Sequence, residues 1–187
     1  MTELQEAEIM RWVDGCKQGN RRAQQCLFKH FYSSMYQVCM RYAGSTDEAD
    51  DMLSEGFLKV FSNLYKYENT GSFTSWMKRV MVNASLDYRR KYDPPVQTTD
   101  LSELQDSDVI GFDENSAVGK LSSEEVIALI QKLPPTTRMV FNLFVFEGCS
   151  HAEIAQNLNI TEGTSAWHVN SARTRLKNEI LKLNNEI

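Results

Sequence analysis

The stretch from Asp93 to Gly119 limits what this chain can fold into more than any other feature. It holds seven acidic residues (Asp93, Asp100, Glu103, Asp106, Asp108, Asp113 and Glu114) and no Lys or Arg, and it opens on Pro94–Pro95. It is otherwise rich in Asp, Ser and Thr, with no sustained helical period, so it has no apolar face with which to build a core. An acidic linker over residues 93–119 therefore divides the 187 residues into two domains, 1–92 and 120–187. Each is long enough for only a modest core.

The linker also decides what the charge means. The net charge of −5 argues superficially against nucleic-acid binding, but residues 1–92 carry 13 basic against 11 acidic side chains, and residues 120–187 carry seven of each. Both domains are free to carry local basic patches. Hydrophobic residues at 42% and charged residues at 24% are those of an ordinary soluble protein. No apolar run approaches the ~20 residues a membrane helix needs. Met1 to Ile9 carries three glutamates and no basic residue, unlike a signal peptide. The expected location is the cytoplasm, without membrane insertion.

Outside the linker every stretch has a helical period. Leu4, Ala7, Trp12, Val13 and Cys16 mark a helix over about 3–18, and Ala23, Leu27, Phe31, Met35, Val38 and Tyr42 a second over about 20–43. Ser45 with Glu48 reads as a capping box opening a third helix to about Leu64. A turn around Asn69–Gly71 precedes a fourth over about 73–91. In the second domain Ser122 with Glu125 opens a helix through Leu133, and Pro134–Pro135 breaks it and starts another over about 135–147. Ser150 with Glu153 opens a short helix to about Leu158, and a last one runs from near Glu162 to about Leu183. No window alternates as a strand would, so the class is all-α.

Residues 148–177, GCSHAEIAQNLNITEGTSAWHVNSARTRLK, have the helix-turn-helix pattern. Its second helix enters the major groove with its N-terminal part toward the bases. Ala155 would let the two helices cross closely, and Ile160 and Val169 would close the core between them. The positions expected to be exposed for bases are Thr164, Ser165, Trp167, His168, Asn170 and Ser171, with Arg173, Arg175 and Lys177 behind them for phosphates. A plain helical hairpin with a solvated polar face is the alternative.

In the first domain Phe73, Trp76, Lys78, Arg79, Asn83, Tyr88, Arg89, Arg90 and Lys91 combine rings with cations. That mixture suits single-stranded DNA, because bases stack on rings while cations follow the phosphates. Equally, Phe73 and Trp76 could be core, and the basic run a helix end that complements the macrodipole. The acidic run Asp47, Glu48, Asp50, Asp51, Glu55 has three readings: a favourable helix start, a divalent-metal site, or a docking surface for a basic partner, with Asp51, Ser54, Glu55 and Leu58 on one face. Cys16, Cys26, Cys39 and Cys149 form no CxxC pair and read as buried free thiols rather than a disulfide framework. A metal site at Cys26, His30 and Cys39 is conceivable.

Taken together, DEADDMLSEGFLKVFSNLYKYENTGSFTSWMKRVMVNASLDYRRK (47–91) and the helix-turn-helix resemble an extracytoplasmic-function (ECF) RNA polymerase sigma factor, the minimal kind with two conserved domains. The resemblance covers about residues 20–92 and 121–180, through the order D-x-x-x-E-x-F-L, GSF-x-x-W and N-x-x-x-D-x-R-R. It implies a transcription initiation factor that binds core polymerase and has no enzymatic activity and no cofactor. Residues 1–92 would be a four-helix promoter-melting domain and residues 120–187 a helix-turn-helix domain. Asp51, Ser54, Glu55 and Leu58 would meet the basic clamp helices of the polymerase, with its flap as a further contact. Phe73, Trp76, Arg79 and Asn83 would open and hold the −10 element, with a flipped base near Asn83, and Tyr88 to Lys91 would grip adjacent backbone. The last helix would read the −35 element as duplex, and the linker would thread toward the polymerase's active centre. An anti-sigma protein would cover the exposed faces, and the free chain would be a monomer.

One departure from the family pattern falls after Gly163-Thr164, where Ser165-Ala166-Trp167-His168 replaces the usual basic residues. Trp167 either contacts DNA or anchors another protein. Two other functions compete: a dimeric helix-turn-helix regulator, which leaves Trp76 to Lys91 unexplained, and a metal-dependent nuclease built on the Asp47–Glu55 carboxylates. The chain has no P-loop, no Gly-rich nucleotide fingerprint and no nucleophile–base pair.

Overall fold

The computed structural model describes residues 3–68, 71–92 and 122–185. The linker, the turn residues Asn69 and Thr70, and the extreme ends lie outside them. Among the described residues there are eight α-helices and no strand: α1 (Glu3–Lys17), α2 (Arg21–Tyr42), α3 (Thr46–Asn63), α4 (Phe73–Tyr92), α5 (Ser123–Gln131), α6 (Pro135–Val145), α7 (His151–Leu158) and α8 (Glu162–Asn185). A 3-10 turn, Leu64–Lys66, which the helical period did not announce, follows α3. By its contacts the chain separates into two compact units, Met1–Tyr92 and Asp93–Ile187. No helix among the described residues is long and apolar enough to cross a membrane.

In the first unit α1 buries Ile9, Val13 and Cys16. These steps of four and three hold one side of a helix, whereas Ala7 lies on the opposite side and is exposed. Trp12 stays half-buried, its ring 5.3 Å from that of His30. Asn20 accepts from the backbone of Arg22 and Ala23 and so starts α2, which buries the stripe expected of it from Leu27 to Tyr42. The crossing with α1 depends on Gly15, where a Cβ would stand 2.7 Å from that of Ala23. At Gly56 on α3 a Cβ would stand 2.2 Å from Met81 Sδ of α4, so the Met81 side chain fills the space the glycine leaves.

Ser45 caps α3 through the Glu48 amide, but the box is not reciprocal. The Glu48 carboxylate accepts from the Gly44 amide at 2.6 Å and from Arg89 instead. Arg89 is the position where the basic run departs most from expectation. Met77, Met81 and Ser85 form a buried stripe at four-residue steps, and Arg89 continues it at 3% exposure. Its Nε donates to the Tyr42 carbonyl at 3.0 Å and its guanidinium pairs with Glu48. A charge is retained in such a site only when it is paired and hydrogen-bonded, as it is here.

In the second unit both Ser122–Glu125 and Ser150–Glu153 form reciprocal capping boxes, and Pro135 sits at the start of α6. α7 ends at Asn159, whose φ of 54° is left-handed and turns the chain toward α8. Ile130, Leu133, Phe141 and Ala172 form a core cluster, joined by the half-buried Val126, Phe146 and Leu176. Ile154 and Val169 are buried between α7 and α8, while Ile160 is half-buried.

The thiols divide. Cys16 and Cys39 are buried, Cys149 is half-buried and Cys26 is exposed. Cys26 and Cys39 occupy opposite sides of α2, so they do not converge with His30 on a common ion.

Candidate nucleic-acid interface

The rotation of α4 sorts the nine residues of its ring-and-cation cluster. Trp76, Arg79, Asn83 and Arg90 recur at three-, four- and seven-residue steps and share one outward stripe, with Trp76 half-buried and the other three exposed. Lys91 is also exposed, its ammonium 4.8 Å from the Tyr92 ring centroid. Phe73 (5% exposed), Tyr88 (8%) and Arg89 (3%) point inward, and Lys78 is half-buried. Three residues expected at the DNA, Phe73, Tyr88 and Arg89, are thus buried in this structure. Phe73 packs its ring against Trp76, Phe31 and Tyr67, Arg89 is held in the core, and Tyr88 donates to Asp51 at 3.3 Å. Burial, then the neighbouring Asp51 carboxylate, raises the Tyr88 phenol above its ordinary 10.0. An acid, Asp87, shares the outward stripe and pairs with Lys59 at 2.7 Å and Arg90 at 2.8 Å. It leaves Trp76, Arg79 and Asn83 as the part of the stripe toward the N-terminus of α4.

Sequence reasoning missed Tyr92. It is 57% exposed, its ring 4.5 Å from that of Tyr88. The signal was present, since it closes the run Tyr88-Arg89-Arg90-Lys91.

On α3, Asp51 and Ser54 are exposed, Glu55 is half-buried and Leu58 is 70% exposed. The structure brings these four together on one side of the helix. Among the described residues no group of His, Cys, Asp or Glu side chains is placed to hold a metal ion.

α8 departs further from expectation. Its inward face is Ser165 (0% exposed), His168 (6%), Val169 (2%), Ser171 (4%) and Ala172 (0%). Three residues expected to face bases, Ser165, His168 and Ser171, are therefore buried. Ser165 Oγ bonds His151 Nδ1 at 2.9 Å, and His168 Nδ1 bonds Thr137 Oγ1 at 3.0 Å. These bonds offset the cost of burying polar groups and tie α8 to α7 and α6. The outward stripe is Gly163, Ala166, Trp167, Asn170, Arg173 and Lys177, with Asn170 and Arg173 exposed and Trp167 half-buried. Thr164 is half-buried, its amide donating to Thr161 Oγ1 at 3.0 Å, so Thr161 supplies the cap of α8. Arg175 is exposed but lies off this stripe. Arg173 stands 6.0 Å from the Phe144 ring centroid, and the His151 ring stacks on Phe144 at 4.7 Å and 14°. Nothing in the spacing of the sequence announces that stack.

Residues 27–94 match the family model of Sigma-70 region 2, and residues 123–176 that of Sigma-70, region 4. The chain belongs to the ECF family of RNA polymerase sigma factors. It is 26% identical over 193 residues to the ECF RNA polymerase sigma factor SigW of Bacillus subtilis (strain 168), covering 95% of this chain and 100% of that protein. It is 24% identical over 184 residues to the ECF RNA polymerase sigma-E factor of Escherichia coli (strain K12), covering 91% of this chain and 93% of that one. A similar solved structure is that of the sigma factor RpoE in complex with the anti-sigma factor NepR from Bartonella quintana. It is 19% identical, has a TM-score of 0.49, and covers 84% of this chain and 96% of that one. As a sigma factor this chain directs promoter-specific initiation by RNA polymerase. The region 2 match contains the α3 and α4 faces, and the region 4 match contains the outward stripe of α8 except Lys177.

Proposed function

We propose that this sigma factor works by binding alone, through three faces on two domains, residues 1–92 and 120–187, joined by the linker 93–119. The outward stripe of α4 takes the −10 element as a single strand. Trp76 stacks a base, Arg79 and Lys91 follow the phosphates, and Asn83 reads the edge of a base turned out of the duplex. Unstacking that base costs a few kcal/mol, which the stripe's contacts offset. The outward stripe of α8 reads the −35 element in the major groove, with Asn170 and Trp167 at base edges and Arg173 on phosphate. Asp51, Ser54, Glu55 and Leu58 dock on the basic clamp helices of core polymerase, with the flap as a second contact for the C-terminal domain. The same exposed faces would be active unless covered, and an anti-sigma protein is the partner that would cover them.

The observation that carries this reading is the single stripe of ring, cation and amide on α4, Trp76, Arg79 and Asn83. Fluorescence anisotropy tests it, using a labelled single-stranded −10 oligonucleotide and the protein bound to core polymerase. Asn83→Ala or Trp76→Ala is expected to weaken capture by roughly 10- to 100-fold, as loss of one stacked or hydrogen-bonded base implies, without changing core affinity. Asp51→Ala/Glu55→Ala is expected to weaken core binding instead. Equal capture by wild type and both α4 variants would overturn the assignment.

A further inference from the structure

α1 lies before the region 2 match, which begins at residue 27, yet its last residue reaches the aromatic group behind the α4 stripe. Lys17 Nζ donates to the Tyr67 carbonyl at 3.0 Å, across 50 residues of chain. The same ammonium is 5.8 Å from the Tyr67 ring centroid. Tyr67 is 6% exposed and its hydroxyl donates to the Gly71 carbonyl, which closes the turn leading into α4. Its ring meets Phe73 edge-on at 5.1 Å and Trp76 at 5.5 Å. Phe73 stacks on Trp76 at 5.5 Å and 30°. Lys17 is thus tied through one backbone carbonyl and one ring to the half-exposed indole of the DNA stripe.

We propose that Lys17 is a positioning residue for promoter melting: by holding Tyr67 it fixes the ring against which Trp76 rests. This rests on the reading of the α4 stripe given above. An ammonium donating to a carbonyl beside a ring sets both the height of the Tyr67 backbone and the face its ring turns to Trp76. Without it the carbonyl loses its donor, and only the Gly71 hydrogen bond and the ring contacts remain to set the face Tyr67 turns to Trp76. The indole would then be presented to a base in several orientations instead of one. The helix-terminal position alone does not explain Lys17, because its ammonium bonds a carbonyl of another segment rather than one of α1.

The test uses full-length protein bound to core polymerase, measuring core affinity and capture of the single-stranded −10 oligonucleotide side by side. Lys17→Met should weaken capture about tenfold at unchanged core affinity, as expected if the indole then holds the base-accepting orientation in roughly a tenth of the molecules. Lys17→Arg, which still donates, should restore it. Wild-type capture by Lys17→Met alongside a defective Trp76→Ala would overturn the role of Lys17 and leave the stripe standing. Wild-type capture by both variants would overturn the stripe and Lys17 together. A Lys17→Met protein that loses core affinity in parallel, unrescued by Arg, would reduce Lys17 to a purely structural contact.

Discussion

Arg89 sits with Arg90 and Lys91 in a basic run, and only its rotation distinguishes it from them. A run of three cations at a helix end reads as one patch, yet 100° per residue sends consecutive side chains to different sides. Arg90 and Lys91 reach water while Arg89 follows the buried stripe through Met81 and Ser85. Extending that stripe by one more four-residue step would have found it. Its partner is the consequence to test. Glu48→Ala removes a carboxylate that is itself 34% exposed from a guanidinium that is 4% exposed, and should cost about 1–2 kcal/mol in urea unfolding, between the values for surface and buried pairs. A loss below about 0.5 kcal/mol would mean that the pair behaves as a surface ion pair. The buried thiols give a second prediction. Burial pushes Cys16 and Cys39 from an ordinary 9.0 up to about 11, with Cys26 adding to the shift of Cys16 and Ser85 opposing that of Cys39. The folded state therefore holds these protons more tightly than the unfolded state, so their contribution is complete below pH 9 and is lost as pH rises toward 11. Thermal unfolding should show the loss in that window, and Cys16→Ala/Cys39→Ala should flatten it. An unchanged slope in the double variant would contradict it.

At the scale of elements, helix starts were legible because caps are local chemistry. Ser122–Glu125 and Ser150–Glu153 form the boxes their three-residue spacing announces. Ser45 and Glu48 meet the same pattern but resolve differently, because the Glu48 carboxylate is engaged by the buried Arg89, 41 residues away, and by the Gly44 amide. A local rule cannot register a partner so distant. α8 shows the opposite limit. Ser165, His168 and Ser171 look like a solvated face, since polarity usually marks the outside of a helix. In so small a domain two of these polar groups are packed because His151 and Thr137 supply partners from α7 and α6 to Ser165 and His168, while the Ser171 hydroxyl is buried with no partner among the described residues. What faces outward is Asn170 and Arg173 instead. Arg173→Ala should accordingly weaken duplex −35 binding about equally on different sequences and lower the salt-dependence slope by about 1. A change of base preference with an unchanged slope would make Arg173 a base reader.

Over the whole molecule, the segment without Lys or Arg was the most informative part of the sequence, because it assigned the net charge of −5 to neither helical unit. The chain separates by its contacts into units Met1–Tyr92 and Asp93–Ile187, and the two family matches fall on residues 27–94 and 123–176. The all-α class was readable from period and motif. The Lys17–Tyr67–Trp76 and Arg173–Phe144–His151 groupings were not, because each joins segments whose approach is set only by tertiary packing. The central claim is that melting and core docking lie on separate faces of one unit. It is tested most directly by run-off transcription from a promoter template with bacterial core polymerase, comparing wild type, Asn83→Ala and Asp51→Ala/Glu55→Ala. Wild type should give discrete start sites. Asn83→Ala should bind core normally yet initiate poorly on duplex template, and the double variant should recover as its concentration is raised to restore core binding. Full initiation by Asn83→Ala, or a double variant that binds core normally but cannot initiate, would contradict the division of roles.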